Sequence, residues 1–427
     1  MKPSDEAILQ AVADGFEEQV AFLSDLVKIP SQRGDEAPAQ DYFARATRAR
    51  GYATEVFPID LDLIRDHPGF SPTTISYDNV VNVVATHRPR QETGRSLILN
   101  GHMDVVPTGP VEMWTDPPYS ARRDGDWLYG RGAGDMKAGL SANIAALDAL
   151  RRLGLQPAAT VYLQAVSEEE CTGNGALACM ARGFEADAAI IPEPEDDMLV
   201  RANTGVIWFR VEVSGKPVHV REAGTGANAI EATYRVIAAL RKLEAEWNAR
   251  RFSHRHFGDL DHPINFNVGK IEGGDWASSV PAWCAIDCRI AIYPGTPAAE
   301  AAREIEAAIA AAARDDPFLS NSPPKIVWNG FYAEGYVLEE GTAAEETLAK
   351  AHRTAHGKAL ESFVTAGYLD GRVFVIYQGI PCLVYGPLTE NIHGFDERVS
   401  LSSLQRVTGA IALFIADWCG VEPIDGA

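Results

Sequence analysis

Apolar residues in the first part of the chain recur at two spacings, one typical of helices and one typical of buried strands. Ser4 precedes a helical stripe that begins at Ile8, which predicts a capped helix that ends at Pro30. Further stripes and short apolar runs predict helices over 38–50 and 140–153 and strands over 52–58, 79–86, 96–99, 159–166 and 188–191. Residues 61–78, rich in Pro, Asp and Ser, are expected to form a surface loop. The alternation of strands and helices indicates a mainly parallel sheet with helices on both faces.

The pattern changes at residue 204 and returns to its first form after residue 332. The intervening stretch predicts, in order, a strand over 206–213, a helix over 228–248, strands over 264–271 and 283–292, a helix over 297–314 and a strand over 325–331. This βαββαβ order is typical of a ferredoxin-like domain. Beyond it, helices over 342–355 and 403–418 and a strand over 382–385 resume the first pattern. We therefore predict an α/β protein with one domain over 1–203 and 333–427 and a lid domain over 204–332 inserted into it.

Composition narrows the class of protein and its partners. A chain of 427 residues is too long for one typical core, and 46% hydrophobic with 23% charged residues is ordinary for a globular protein. The net charge of −21 argues against nucleic acid or an anionic membrane as a partner. No apolar run approaches the roughly 20 residues that span a bilayer, and the start MKPSDEAILQ lacks the apolar segment of a signal peptide. The six scattered cysteines contain no C-x-x-C pair, so we expect free thiols and a cytoplasmic location.

Five polar clusters are predicted to lie at the ends of strands in the first domain, all at the same edge of one sheet, and their side chains are metal-ligand types. They are His102 with Asp104, Asp135, Glu168-Glu169-Glu170, Glu193 and His393. Each one alone has an ordinary explanation, such as a strand end, a turn residue or a solvated helix start. At one edge of one sheet, carboxylates mixed with imidazoles and without thiolates predict a site for zinc, manganese or cobalt. Two such ions need a bridging carboxylate and activate a shared water at neutral pH.

The motifs that carry these clusters occur in a recognisable order. They are GHMDVVP, YGRGAGDMKAG, VSEEECTGNGA, IPEP and NIHGFDERV. In this order they resemble the family of co-catalytic metallopeptidases that contains acetylornithine deacetylase, succinyl-diaminopimelate desuccinylase, aminoacylase and carboxypeptidase G. The resemblance covers nearly the whole chain, and it implies a zinc-peptidase-like catalytic domain with an inserted ferredoxin-like lid that dimerises.

Carried over position by position, the resemblance implies two metal sites that share one carboxylate. One metal is held by His102, Asp135 and Glu193, and the other by Asp135, Glu170 and His393. Asp135 therefore bridges the two ions, which are expected to be zinc, with manganese or cobalt as alternatives. The family also implies a cis peptide bond between Asp135 and Met136.

The same resemblance assigns the proton chemistry. Glu169 would be the general base that takes a proton from the bridging water, and Asp104 would orient His102, as metal-bound imidazoles generally require. Three consecutive glutamates offer two pairings of base and ligand. Alignment on the preceding strand places Glu168 where the family commonly has Asp, so Glu169 is the base and Glu170 is the ligand.

The substrate side of the site falls in the lid. GKPVHV resembles the lid motif whose histidine reaches into the partner's active site across a homodimer, which assigns substrate binding and oxyanion stabilisation to His219. Arg289 in IDCRI matches an arginine expected to grip a substrate carboxylate. The chain departs from its relatives at Ser278-Ser279-Val280-Pro281, where many have Asn before the Val/Ile-Pro. It also has Tyr368 in TAGYLDGR where the desuccinylases have Thr.

Other enzyme classes fit the sequence poorly. The Gly130-Arg-Gly132-Ala-Gly134 run lacks both phosphate-loop spacings, and no G-x-S-x-G elbow of a serine hydrolase occurs. A non-catalytic binding protein on this fold would be expected to lack Glu169 or a ligand, and none is missing.

We therefore predict a cytoplasmic, homodimeric, two-metal hydrolase. It would cleave the amide bond of a carboxylate-bearing N-acyl amino acid or small peptide. The alternative is a C–N bond outside peptides, in a carbamoyl group or an amine on an activated aromatic acid.

Overall fold

A computed structural model describes residues 2–424 of the chain. Its α-helices are α1 (Asp5–Asp14), α2 (Phe16–Val27), α3 (Ala37–Ala49), α4 (Leu61–Ile64), α5 (Ala138–Arg152), α6 (Asn174–Ala181), α7 (Ala229–Ala249), α8 (Ala298–Arg314), α9 (Ala343–His356) and α10 (Leu401–Trp418). Its strands are β1 (Ala53–Pro58), β2 (Val81–His87), β3 (Leu97–His102), β4 (Arg123–Asp124), β5 (Trp127–Tyr129), β6 (Leu155–Pro157), β7 (Val161–Val166), β8 (Ala189–Ile191), β9 (Leu199–Asn203), β10 (Gly205–Ser214), β11 (Phe266–Gly273), β12 (Trp283–Ile292), β13 (Lys325–Ala333), β14 (Ser362–Thr365), β15 (Cys382–Val384), β16 (Thr389–Glu390), β17 (Arg398–Ser400) and β18 (Val421–Pro423). Shorter helical turns are Val111–Met113, Ala133–Lys137, Val220–Thr225, Arg251–Ser253 and Val373–Gln378.

The larger sheet has the strand order β1-β2-β7-β3-β8-β15. Strands β7, β3, β8 and β15 are mutually parallel, whereas β2 pairs antiparallel with both β1 and β7. The residues of β3 are buried along its whole length, as expected for a central strand covered on both faces. Because β7, β3 and β8 run in the same direction, the segments that follow them meet at one edge of the sheet.

The smaller sheet belongs to the βαββαβ stretch. Its strands lie in the order β11-β12-β10-β13, all antiparallel, and helices α7 and α8 pack against it. This is the split-βαβ arrangement, so the prediction of a ferredoxin-like lid is confirmed.

Two apolar clusters accompany the two sheets. One buried cluster is formed by residues of the chain up to Val200 together with residues from Tyr336 onward. The other is formed by residues between Ala202 and Leu319. This separation supports the division into 1–203, 204–332 and 333–427, which stays a prediction. Its outer limits, residues 1 and 427, lie outside the described residues.

Two local expectations were wrong. The first helix divides at Gly15 into α1 and α2, where a Cβ would lie 2.6 Å from the Arg152 guanidinium. The segment 61–78 is not simply a surface loop, since it begins with α4 and its Ser71 and Tyr77 side chains are buried. The Tyr77 hydroxyl donates to the Glu168 carboxylate after β7, and the Ser71 hydroxyl accepts the backbone N–H of Tyr332 in β13.

Two further observations concern the whole described chain. Each of the six cysteines is buried and carries a free thiol. Within residues 2–424, no helix combines the length and apolar character that crossing a membrane requires.

Candidate metal centre and active site

His102 is the last residue of β3 and is almost fully buried. Its Nδ1 lies 2.8 Å from the backbone carbonyl oxygen of Asp104. A carbonyl oxygen only accepts hydrogen bonds, so Nδ1 carries a proton, and Nε2 is the ring nitrogen that faces the candidate ligands. That Nε2 atom lies 3.0 Å from Asp135 Oδ1 and 3.7 Å from Glu193 Oε2. Glu193 follows β8, the parallel neighbour of β3, so the sheet itself brings these two side chains together.

Asp135 reaches the site from a different direction than expected. It does not follow a strand of the large sheet but lies in the turn that precedes α5. The buried carboxylate of Glu397 accepts hydrogen bonds from the backbone N–H groups of Gly132, Gly134 and Asp135, at 3.1, 2.9 and 3.0 Å. Its fourth partner is the Arg131 guanidinium, at 2.5 Å. These contacts fix the turn, and its Asp135–Met136 peptide bond is cis, as predicted.

The carboxylate of Asp135 faces two histidines through its two oxygens. Oδ1 faces His102, whereas Oδ2 lies 3.3 Å from His393 Nε2, which itself lies 3.2 Å from Glu170 Oε1. His393 lies between the short strands β16 and β17, not at an end of the large sheet. The structure thus brings all five predicted metal ligands together, with Asp135 between the two halves.

The residues present fit divalent cations. Donor atoms of His102, Asp135 and Glu170 lie within 4.8 Å of one another. In the part of the chain that the structure describes, Glu193 Oε1 is buried without a hydrogen-bond partner, as expected of an oxygen that binds an ion. Burial raises the pKa of Glu193 to about 7. Burial alone would lower the pKa of His102, but the carboxylates of Glu193 and Glu169 raise it well above its usual value. Such crowded negative charge is what a bound cation neutralises.

Glu169 lies beside the cluster in the turn after β7. Its Oε2 atom is 3.8 Å from His102 Nε2, and its side chain is nearly buried. Burial raises the pKa of Glu169 well above its usual range, an effect that suits a residue that accepts a proton near neutral pH.

Asp104 contacts both His102 and the turn that carries Glu169. The Asp104 side chain was expected to orient His102, but its carboxylate lies 3.8 Å from His102 Nδ1. The closer partner of Nδ1 is the backbone carbonyl oxygen of Asp104, which therefore orients the histidine. The carboxylate instead accepts the backbone N–H groups of Glu169 and Glu170, at 3.3 and 3.0 Å.

Glu168 faces away from the metal cluster. Its buried carboxylate is occupied by Arg33, Tyr77 and Thr172. Only Glu169 and Glu170 therefore turn towards the cluster, which is consistent with the pairing chosen from the sequence.

Arg289 projects from β12 of the lid towards the segment that contains Tyr368. Its Nη2 donates a hydrogen bond to the carbonyl oxygen of Ala366 at 2.9 Å. Within the described residues it has no carboxylate partner, and burial lowers its pKa. The Tyr368 ring packs against Phe331 of β13 with centroids 4.2 Å apart, and its hydroxyl donates to Asp370 at 2.8 Å.

His219 is exposed on the lid, and the structure does not bring it to the cluster. Its Nδ1 accepts the backbone N–H of Arg221 at 3.1 Å, and its backbone pairs with Ser279. Among the contacts of residues 2–424, none joins His219 to a predicted metal ligand. Nearby, Val220 and Trp276 are 50% and 74% exposed, and the charged side chains of Arg221 and Glu222 are exposed as well.

The sequence did not reveal the residues that hold the candidate site residues in place. Glu397 lies in the NIHGFDERV motif, four residues beyond His393, and this proximity was a usable signal. Arg33 and Tyr77 gave no signal, because each lies in an irregular segment far along the chain from Glu168.

Comparisons of the sequence and of the fold with known proteins all give matches to hydrolases. The profile of peptidase family M20/M25/M40 matches residues 98–417. The chain is 28% identical to N-formyl-4-amino-5-aminomethyl-2-methylpyrimidine deformylase of Halalkalibacterium halodurans, over 97% of each chain. It is 29% identical to succinyl-diaminopimelate desuccinylase of Methylibium petroleiphilum, over 76% of this chain and 82% of the relative. The fold is similar to that of the di-peptidase Dug1p from Saccharomyces cerevisiae, with a TM-score of 0.78 and 15% identity over 98% and 99% of the two chains.

Proposed function

This chain belongs to peptidase family M20/M25/M40, and we propose that the cluster around Asp135 is the centre with which it hydrolyses amide bonds. The resemblance inferred from the ordered motifs is thereby confirmed, and the chain is a metal-dependent hydrolase of C–N bonds. The site assignment rests on the orientation of the Asp135 carboxylate, whose two oxygens face different histidines. One oxygen faces His102 and the other faces His393.

The proposal places two divalent ions at this carboxylate. His102 and Glu193 would complete one site, and Glu170 and His393 the other, with zinc as the first candidate and manganese or cobalt as alternatives. Ions bound there would supply Lewis-acid polarisation of the amide carbonyl and a lowered pKa for a nearby water.

Glu169 carries the proton transfer in this proposal. Its carboxylate accepts a proton from the attacking water and delivers it to the nitrogen of the leaving amine as the C–N bond breaks. The nearness of Glu169 Oε2 to His102 Nε2, at 3.8 Å, supports a role beside the proposed metal site.

The second copy of the chain supplies His219. The side chain is exposed in this protomer, and dimerisation would cover the exposed apolar side chains of Val220 and Trp276 on the same lid. Strand β11 is an edge strand of the lid sheet with mostly exposed residues, and such an edge is open to pairing. His219 of the partner would then donate a hydrogen bond to the developing oxyanion. The free, buried thiols support a cytoplasmic location for this dimer.

Arg289 indicates the class of substrate. Within residues 2–424 the Arg289 guanidinium has one neutral acceptor, and it is partly desolvated. Such a group is suited to a carboxylate, which it can bind through two hydrogen bonds. The first-choice substrates are therefore N-acyl amino acids or small peptides with a free carboxylate.

A second candidate is a C–N bond outside peptides. Tyr368, Phe331 and Trp208 form a contiguous aromatic group, with a Trp208–Phe331 centroid distance of 5.1 Å. The group lies next to the turn that carries Glu169, because a Cβ at Gly330 would be 3.1 Å from the Cys171 carbonyl oxygen. A flat aromatic amine would pack against such a surface, and one relative is named as a pyrimidine deformylase.

A hydrolysis screen separates the two candidates. The purified protein is incubated with zinc, manganese or cobalt and with N-acetyl, N-succinyl and N-carbamoyl amino acids, dipeptides, and N-formyl aromatic amines. Release of a carboxylic acid and an amino acid would support the first candidate. Turnover confined to the formyl or carbamoyl compounds would favour the second, and inactivity on every amide with every metal would contradict both.

A further inference from the structure

The carboxylate of Glu168 is the meeting point of three separate segments. It is fully buried and accepts hydrogen bonds from Arg33 Nε at 2.5 Å, Arg33 Nη2 at 2.8 Å and the Tyr77 hydroxyl at 2.6 Å. The hydroxyl of Thr172 donates a further hydrogen bond at 3.0 Å. This side chain lies one residue before the proposed base, yet its oxygens are occupied on the side away from the metal ligands.

The backbone of Glu168 holds the same turn from within. Its φ of +70° lies in the left-handed region, and its carbonyl oxygen accepts the N–H groups of Cys171, Thr172 and Gly173 at 3.4, 3.0 and 2.7 Å. A non-glycine residue in this region needs surrounding contacts to keep it there. The side-chain partners of Glu168 supply these contacts. Glu168 therefore determines the backbone path of the turn that contains Glu169.

The partners of Glu168 are themselves anchored. Arg33 lies two residues after Ser31, whose hydroxyl donates to the Met103 carbonyl oxygen at 2.7 Å and whose carbonyl accepts the Val105 N–H at 2.9 Å. Arg33 is therefore tied to the chain that directly follows His102. The Tyr77 hydroxyl also accepts a hydrogen bond from Asn174 Nδ2, at the start of α6.

We propose that Arg33, Tyr77 and Glu168 form a clamp that positions Glu169 relative to His102, and that they are positioning residues for proton transfer. This proposal rests on the proposed function of Glu169 as the base. A charge-assisted, two-point contact between guanidinium and carboxylate fixes direction as well as distance. A proton acceptor must be held within a fraction of an ångström of its working position, so the clamp contributes to turnover more than to substrate binding.

The test compares the clamp with a matched ion pair elsewhere. Arg33→Ala removes the two-point contact, Arg33→Lys restores the charge with one contact, and Glu168→Gln keeps the shape without the charge. The control is Arg50→Ala, because Arg50 also contacts both oxygens of one carboxylate, that of Asp148, at 3.0 and 2.8 Å. The arginine side chains are similarly exposed, 24% for Arg33 and 27% for Arg50.

We expect Arg33→Ala and Glu168→Gln to lower kcat by about 10- to 100-fold, the cost typical of losing a partner of catalytic side chains. KM and bound metal should stay as in the wild type, Arg33→Lys should recover part of the loss, and Arg50→Ala should leave kcat unchanged. Equal losses in Arg33→Ala and Arg50→Ala, or no loss in either clamp variant, would overturn the proposal.

A second measurement does not depend on activity. Hydrogen–deuterium exchange of peptides that contain residues 168–173 should be faster in Arg33→Ala than in the wild type and unchanged in Arg50→Ala. Unchanged exchange in Arg33→Ala would show that the clamp does not hold the turn. If the wild type hydrolysed no amide, the proposed function would be wrong. The exchange measurement would still test whether Arg33 holds the turn over residues 168–173.

Discussion

The imidazole of His102 donates its Nδ1–H to the backbone carbonyl oxygen of Asp104, 2.8 Å away, and not to the Asp104 carboxylate. The tautomer of the proposed ligand is therefore set by the backbone, which no side-chain substitution at residue 104 removes. The carboxylate is left to accept the N–H groups of Glu169 and Glu170. Asp104 thus connects the strand of the proposed metal ligand His102 to the turn of the proposed base Glu169.

Asp104→Ala should separate metal binding from turnover. The carbonyl that orients His102 remains, so bound metal should be retained, whereas the turn loses two hydrogen bonds and kcat should fall by about 10- to 100-fold. Metal content by mass spectrometry and steady-state kinetics check this. Asp104→Asn is the milder variant, since it keeps one oxygen acceptor. Loss of metal in both variants would show that the carboxylate itself orients the ligand.

Arg289→Ala should raise KM selectively. Hydrogen bonds to a charged group contribute about 1.5 to 3 kcal/mol, so KM for a carboxylate-bearing substrate should rise about 10- to 100-fold. An analogue with an amide in place of the carboxylate should bind the variant and the wild type alike. Equal effects on both compounds would contradict a carboxylate contact, and Arg289→Lys should recover part of the affinity.

His219 and Glu169 should complement each other in mixed dimers. His219→Ala and Glu169→Ala protomers are each expected to be inactive, but a hybrid dimer contains one site with both functional side chains. Mixing the two variants after reversible dissociation should therefore restore part of the activity. If hybrids form, as shown by native mass spectrometry, and no activity returns, then His219 does not act in the partner's site.

A pair of histidines remote from the site should make stability depend on pH. The rings of His352 and His356 stack at 4.1 Å and share the Tyr385 hydroxyl, 2.9 Å from His352 Nδ1 and from His356 Nε2. Burial lowers the pKa of His356 to about 3, with His352, Arg406 and Lys358 acting in the same direction. The one nearby carboxylate in the described chain is Asp197, whose Oδ2 is 3.6 Å from His356 Nδ1.

In the unfolded chain a histidine titrates near a pKa of about 6.5. Between about pH 6.5 and 3, the unfolded state therefore binds a proton that the folded state excludes, and the free energy of unfolding falls as pH falls. One group contributes at most about 1.4 kcal/mol per pH unit. The free energy of unfolding can be measured with urea at pH 7.5, 6 and 5. Over this range it should decrease less for His356→Gln than for the wild type. Parallel decreases would exclude a contribution from His356.

The fold, and the cluster of candidate ligands that the structure brings together, could be predicted from the sequence for a physical reason. Each candidate ligand lies in a short motif, and the apolar periods of the helices and long strands reveal those elements. The strands β4, β5, β16 and β17 are too short to show a period, so the origin of Asp135 and His393 outside the large sheet was not foreseen. The contacts of Glu168 with Arg33 depend on irregular backbone and on 135 residues of separation, and local patterns do not encode such contacts.

The kinetics of Glu169→Ala, measured together with its metal content, test the central claim most directly. Glu169 is proposed to move the proton and not to hold the ions. The variant should therefore bind the same metal as the wild type, with a similar KM, while kcat falls by about 10²- to 10⁴-fold. Glu170→Ala is the matched comparison, because the adjacent carboxylate is proposed as a ligand and its loss should reduce the bound metal. Full activity in metal-loaded Glu169→Ala would contradict the account.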